Sequence, residues 1–259
     1  MQSQLKIAAI QSNIVWEKVA DNLKNYEAFL SNVSPNTNLV VLPEMFSTGF
    51  TMNPENCAES MDGTSVTWMQ EKAMELDVAL MGSLVIRERE SYYNRVVFVY
   101  PNGALRYYNK RHLFSLAGED EKYTQGKERL ILDYKGWKIC PMICYDLRFP
   151  VWSRNTKNYD LLVYMANWPK PRINAWDTLL KARSIENMCY TIGVNRVGSD
   201  ENGYEFNGHS QAFDMLGNSI AGSNENQEQI FEFTIQKENL IATRNKFQFL
   251  NDQDSFEIY

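Results

Sequence analysis

The stretch Lys138-Ile139-Cys140-Pro141-Met142-Ile143-Cys144 rises into apolar residues, then switches abruptly to Tyr145-Asp146-Leu147-Arg148-Phe149-Pro150. An apolar run this short reads as a strand buried on both faces rather than a helix. It delivers Cys144 to its carboxyl end, where a turn and a helix start follow with Pro150 near the first turn. In open α/β folds that rim of the sheet is where ligands gather. The question for the rest of the chain is what it brings to that sulfur.

The same grammar recurs. Leu5 to Ile10 and Leu39 to Leu42 read as strands, separated by a helix whose Val19, Leu23, Tyr26 and Leu30 share a face. Ser47 to Asp62 reads as a loop. Val66 to Leu76 reads as a helix capped from Gly63-Thr64-Ser65. Val78 to Ile86 and Arg95 to Tyr100 are strands, and Pro101-Asn102-Gly103 turns the second back into Ala104 to Tyr108. Ser115 to Lys127 reads as a polar surface loop. Leu130 to Asp133 pairs with Trp137 to Ile143, and a helix is expected over roughly Phe149 to Thr156. Asp160 to Met165, a helix at Asn174 to Asn187, and strands at Tyr190 to Asn195, near His209 to Phe213 and at Gln229 to Thr234 complete the alternation. A short helix and an aromatic-rich tail close the chain. With no linker or repeat, one α/β domain over residues 1–259 is expected, with mixed sheets covered by helices.

The net charge of −6 argues against nucleic acid or an anionic membrane as partner. No apolar run approaches the roughly 18 residues of a membrane span, and the opening Met1 to Lys6 is no signal peptide. Four cysteines without a secretory signal point to reduced thiols and a cytoplasmic protein.

Three chemically distinct residues follow apolar strands: Glu44, Lys110 and Cys144. Should those strands be near neighbours in a sheet, the three side chains meet at one rim. A thiol needs a base to become a nucleophile near neutral pH. A buried carboxylate can take that proton, and a lysine can stabilise the oxyanion formed when sulfur attacks a carbonyl or nitrile carbon. The backbone N–H of Tyr145 is a second oxyanion donor. Each residue alone has an ordinary reading, with the cysteine as inert core, the glutamate as a solvated or capping group and the lysine as surface.

Together, Leu42-Pro43-Glu44-Met45-Phe46, Tyr108-Asn109-Lys110-Arg111-His112-Leu113-Phe114 and Ile143-Cys144-Tyr145-Asp146-Leu147-Arg148-Phe149-Pro150 resemble the three signature stretches of the nitrilase, or carbon–nitrogen hydrolase, superfamily, in order and approximate spacing. Within it the chain looks most like the bacterial omega-amidases, which hydrolyse 2-oxoglutaramate and 2-oxosuccinamate. The resemblance implies Glu44 as general base, Lys110 as oxyanion-stabilising lysine and Cys144 as nucleophile. It places Glu119 near a second glutamate beside the lysine, with Glu121 as the alternative. The implied fold is an αββα sandwich that pairs into a homodimer, residues 236–259 forming a C-terminal tail at the interface. No metal or organic cofactor is required.

A small omega-amide substrate carries a carboxylate at its far end, and Arg148 or Arg172 is the expected cation; the alternative for Arg148 is a salt bridge to Asp146 or to a helix-start carboxylate. Trp168 and Phe50 are candidates for the pocket walls. His112, two residues past Lys110, reads as a core or loop histidine hydrogen-bonded to backbone. Cys140 and Cys144 lie about 13 Å apart along a strand at roughly 3.3 Å per residue, beyond disulfide reach. Rival readings are hydrolysis of another amide, a carbamoyl-amine or a nitrile by the same residues, and a non-catalytic α/β binding module with Cys144 inert.

Overall fold

A computed structural model describes residues 2–258. The first half runs β1 (Gln4–Gln11), α1 (Val19–Leu30), β2 (Leu39–Val41), α2 (Pro54–Cys57), α3 (Thr64–Leu76), β3 (Ala79–Glu88), β4 (Ser91–Val99), β5 (Leu105–Asn109) and α4 (Glu119–Lys122). Then come β6 (Leu132–Tyr134), β7 (Trp137–Ile143), α5 (Pro150–Ser153), β8 (Leu161–Met165), α6 (Ile173–Asn187) and β9 (Tyr190–Val194). The chain finishes through β10 (Val197–Ser199), β11 (Glu205–Asn207), β12 (Gln211–Phe213), β13 (Ser219–Gly222), β14 (Gln229–Gln236) and α7 (Lys237–Phe247).

The strands form two six-stranded sheets, in the orders β14-β1-β2-β3-β4-β5 and β13-β12-β9-β8-β7-β6. Each has a parallel centre (β1-β2-β3 and β7-β8-β9) and antiparallel flanks. Period-two alternation explains the layering. In β1 and β3, Ile7, Ala9, Ala79 and Met81 join the core shared with Tyr134 and Ile139 of the second sheet. Their neighbours Ala8, Ile10 and Leu80 instead pack under Leu23 and Tyr26 of α1 and Val66 and Met69 of α3. Helix α6 covers the second sheet through Trp176 and Leu180. The result is a four-layer αββα sandwich in a single domain.

Several local expectations need correcting. Helix α3 has its N-cap at Gly63, inside the expected Gly63-Thr64-Ser65, but no side chain there caps it. Its first turn is satisfied from outside, by the Glu59 carboxylate accepting from Ser65 N at 2.6 Å and from the Ser65 hydroxyl at 2.9 Å. The expected helix over Phe149–Thr156 is one turn, α5, preceded by a 3-10 turn at Cys144–Arg148. The Ser47–Asp62 loop contains α2, and the polar stretch Ser115–Lys127 folds into a 3-10 turn and α4. Short strands β10 and β13 have too little apolar pattern to be read from the chain.

Candidate active site

Glu44, Lys110 and Cys144 do come together, though their strands are not neighbours in one sheet. Glu44 follows β2 and Lys110 follows β5 in the first sheet, while Cys144 follows β7 in the second. They meet because the two sheets stack with these carboxyl ends at the same edge of the sandwich. Cys144 adopts φ = +41°, and Met45, just after Glu44, φ = +44°. Left-handed backbone costs a non-glycine residue about 1–2 kcal/mol, so both turns depend on their surroundings.

Glu44 is fully buried. Its Oε1 accepts from Lys110 Nζ at 2.9 Å and Asn94 Nδ2 at 2.8 Å, and its Oε2 accepts from Asn167 N at 2.8 Å. Asn167 Nδ2 also donates to the Glu44 carbonyl at 2.6 Å. The Ser83 hydroxyl donates to Asn94 Oδ1 at 2.9 Å and accepts from Met45 N at 2.8 Å, which supports the turn carrying Glu44. Ser83, Asn94 and Asn167 were assigned no role from the sequence. The available signal was a pair of polar side chains, Ser83 and Asn94, inside otherwise apolar strands, where burial demands a partner.

Glu119, expected on a surface loop, is fully buried, and Glu121 is exposed. The Glu119 carboxylate accepts from Lys110 Nζ at 2.9 Å on both oxygens, from Asn94 Nδ2 at 3.1 Å and from Phe114 N at 2.6 Å. The loop turns inward because the carboxylate gains an ammonium and two N–H donors there. Of the two glutamates, Glu119 is the one beside the lysine.

Burial pushes the Lys110 ammonium down, but Glu119, Glu44 and Cys144 together more than offset it and hold the lysine protonated beyond its usual range. Burial also raises the Glu119 carboxyl, with Lys110 opposing and Glu44 adding to the rise. Burial raises the Cys144 thiol well above its ordinary value, Glu44 and Glu119 add to that and Lys110 opposes it. The sulfur is thus held as a thiol beside a carboxylate.

Cys144 lies half-buried in a cavity of about 610 Å³ whose lining includes Phe50, Lys110, Tyr145, Arg148, Asn167, Trp168 and Arg172. Lys110 Nζ stands 5.1 Å from the centre of the Phe50 ring. Trp168 is buried and donates its Nε1 to the Arg172 carbonyl at 2.8 Å. The exposed Arg148 guanidinium lies over Trp168 at 5.0 Å, and that of Arg172 over Phe114 at 5.2 Å. Arg148 makes no salt bridge to Asp146, whose carboxylate is taken by Tyr108, His112 and Ile143 N. His112 bonds that carboxylate rather than a backbone group, with Nδ1 2.8 Å from Asp146 Oδ1. Among the described residues no cluster of three or more His, Cys, Asp or Glu is arranged to hold a metal ion, and no helix is long and apolar enough to cross a membrane.

A buried Glu–Lys–Glu cluster at the edge of an αββα sandwich, with a cysteine on a strained turn beside it, has the groups that thiol-dependent hydrolysis needs. The sequence profile of carbon–nitrogen hydrolases matches residues 6–245, and the chain belongs to that family. It is 40% identical to omega-amidase YafV of Yersinia enterocolitica over 98% of both chains. It is 34% identical to the 2-oxoglutaramate amidase of Bacillus subtilis over 83% of this chain and 85% of that one. The crystal structure of XC1258 from Xanthomonas campestris, a CN-hydrolase superfamily protein with an arsenic adduct in its active site, superposes with a TM-score of 0.97 at 40% identity, covering all of both chains.

Proposed function

We propose that this protein is an amidase that releases ammonia from the omega-amide of a short 2-oxo dicarboxylate monoamide such as 2-oxoglutaramate or 2-oxosuccinamate. The observation that carries the reading is Lys110 Nζ bridging the Glu44 and Glu119 carboxylates at 2.9 Å in the cavity that holds Cys144. Relatives named for omega-amide hydrolysis, matching along nearly the whole chain, favour the substrate class.

Because the thiol is held neutral, its proton leaves as the sulfur attacks, and the hydrogen-bonded Glu44 is the acceptor. That transfer discharges Glu44, which weakens its hold on Lys110 and frees an N–H for the oxyanion. The negative charge thus moves from Glu44 to the substrate oxygen while Lys110 faces both, and the net charge of the site is unchanged. Tyr145 N–H, at the start of the turn after Cys144, is the second donor. Glu44 then passes the proton to the departing nitrogen, ammonia leaves, and the cysteinyl thioester is hydrolysed by water that Glu44 deprotonates. Arg148 and Arg172 offer cations to the distal carboxylate, and Trp168 and Phe50 wall the cavity.

The exposed Ile241, Phe249, Phe256 and Ile258 support a homodimer that buries the 236–259 tail. The free thiols Cys57, Cys140, Cys144 and Cys189 suit a reducing, cytoplasmic setting.

The test is ammonia release from 2-oxoglutaramate by the wild type beside Cys144→Ala. Release that disappears in the variant supports the reading, and release that survives sinks the nucleophile. No release from either protein redirects the substrate search to other amides, carbamoyl-amines and nitriles.

A further inference from the structure

The carboxylate of Asp146, two residues past Cys144, is fully buried and is met by donors from the ends of β5 and β7 and from the loop after β5. Its Oδ2 accepts from Ile143 N at 3.0 Å and from the Tyr108 hydroxyl at 2.8 Å. Its Oδ1 accepts from His112 N at 3.0 Å and lies 2.8 Å from His112 Nδ1. The Tyr108 oxygen in turn accepts from Trp152 Nε1 at 3.0 Å and Arg111 N at 3.1 Å. The His112 ring lies flat on Phe149, 3.8 Å between centroids and 4° from parallel. No step of the mechanism above uses this cluster.

Its placement gives it a task. Lys110 stands midway between Tyr108 and His112, and Cys144 stands between Ile143 and Asp146. The lysine follows a strand of the first sheet and the cysteine a strand of the second, and among the described residues no backbone ladder joins those two sheets. Their mutual distance therefore rests on side chains, and one carboxylate grips the chain on both flanks of the lysine and both flanks of the cysteine. We propose that Asp146, with Tyr108 and His112, is a positioning unit that sets the Lys110 ammonium against the sulfur and the oxyanion formed beside it. The inference rests on the amidase reading. It differs from a purely structural tie in what it moves: misplacing an oxyanion donor slows the step after binding, so kcat falls while KM stays.

The test compares wild type, Asp146→Asn, His112→Leu and His112→Asn for kcat and KM of ammonia release, thermal midpoint, and the rate at which iodoacetamide alkylates the Cys144 peptide, read by mass spectrometry. Asparagine at position 112 keeps a side-chain N–H near the place of Nδ1, and leucine does not. Asp146→Asn is expected to lower kcat about 100-fold and His112→Leu about tenfold, with KM within about threefold and most of the loss recovered in His112→Asn. If Asp146→Asn does not fold, the His112 pair decides. Unchanged kcat in His112→Leu, a rise in KM in place of the fall in kcat, or equal losses in leucine and asparagine variants overturns the proposal. A wild type that releases no ammonia from 2-oxoglutaramate overturns the omega-amide substrate and not the positioning unit. Alkylation then decides: slowing in His112→Leu that His112→Asn reverses supports the positioning unit, and equal rates in all variants overturn it.

Discussion

Lys110 and Glu119 form a two-point ion pair sealed from solvent, with Nζ 2.9 Å from each carboxylate oxygen and both side chains fully buried. A third contact, to Glu44 at 2.9 Å, leaves the ammonium surrounded by carboxylate before a substrate arrives. Of the charges that hold Lys110 protonated, Glu119 contributes most. Glu119→Gln removes that support while burial continues to push the ammonium down. The alkaline limb of kcat, set in the wild type by a lysine held above its free value of about 10.4, therefore moves to lower pH in the variant. A kcat profile up to about pH 10, in which the wild type is expected to show no lysine limb and Glu119→Gln to show one, checks this. Coincident alkaline limbs would mean that Glu119 does not set the charge on Lys110.

The thiol makes the opposite case. Burial, then Glu44, then Glu119 disfavour the thiolate, and Lys110 alone opposes them, so Cys144 ionises above the ordinary thiol value of about 8.5. The difference in ultraviolet thiolate absorbance between wild type and Cys144→Ala is therefore expected to be flat through neutral pH and to rise only above that value. A thiolate band already present at neutral pH contradicts a proton held until attack. Glu44→Gln, which removes the acceptor, should lower kcat by about 10²–10⁴-fold, the range for a positioned acid–base group.

What the chain disclosed and what it hid divide along a physical line. Cys144 and Glu44 were legible because apolar runs as short as Leu39–Leu42 and Ile139–Ile143 read by their length as buried strands, and whatever follows them sits at a rim. That the two rims belong to different sheets was not legible from periodicity, which specifies the face of a residue but not the partner of a strand; the family resemblance supplied the layered architecture. The run around Glu119 reads as surface because Asp120 and Glu121 are polar and exposed; the family resemblance set Glu119 beside the lysine, and the tertiary offer of Lys110, Asn94 Nδ2 and Phe114 N draws its carboxylate inward. The Asn94–Ser83 support and the Asp146 cluster depend on contacts far apart in sequence, for which no spacing rule exists.

Gly193 in β9 sets how closely α6 lies on the second sheet. A methyl group there would stand 2.3 Å from Leu180 Cδ1 and 2.6 Å from Trp176 Cζ2, both buried in α6. The helix must retreat or two packed side chains must leave their rotamers, and overpacking of this kind costs typically 1–3 kcal/mol. Gly193→Ala is expected to lower the unfolding free energy by about that much, measured by urea denaturation. An unchanged midpoint would show that α6 adjusts freely and that Gly193 does not set its distance from the sheet.

Arg148 and Arg172 divide binding from chemistry. Both line the cavity with Cys144, both lie over aromatic rings, and the nearest acid to Arg148 in sequence, Asp146, is already saturated. A guanidinium that meets the distal carboxylate of the substrate contributes a charge-assisted hydrogen bond worth about 1.5–3 kcal/mol, or roughly 10- to 100-fold in binding. Replacement by methionine keeps the stem against the ring and removes only the charge. If one of the two meets that carboxylate, its methionine variant should raise KM for 2-oxoglutaramate by roughly that factor and leave KM for an uncharged amide of similar length unchanged. Equal rises for both substrates would make that arginine part of the cavity wall, and no rise in either variant would place the carboxylate elsewhere in the cavity. Because the charge is recognised before the sulfur attacks, kcat at saturating substrate is expected to stay close to that of the wild type, in contrast to the collapse expected for Glu44→Gln.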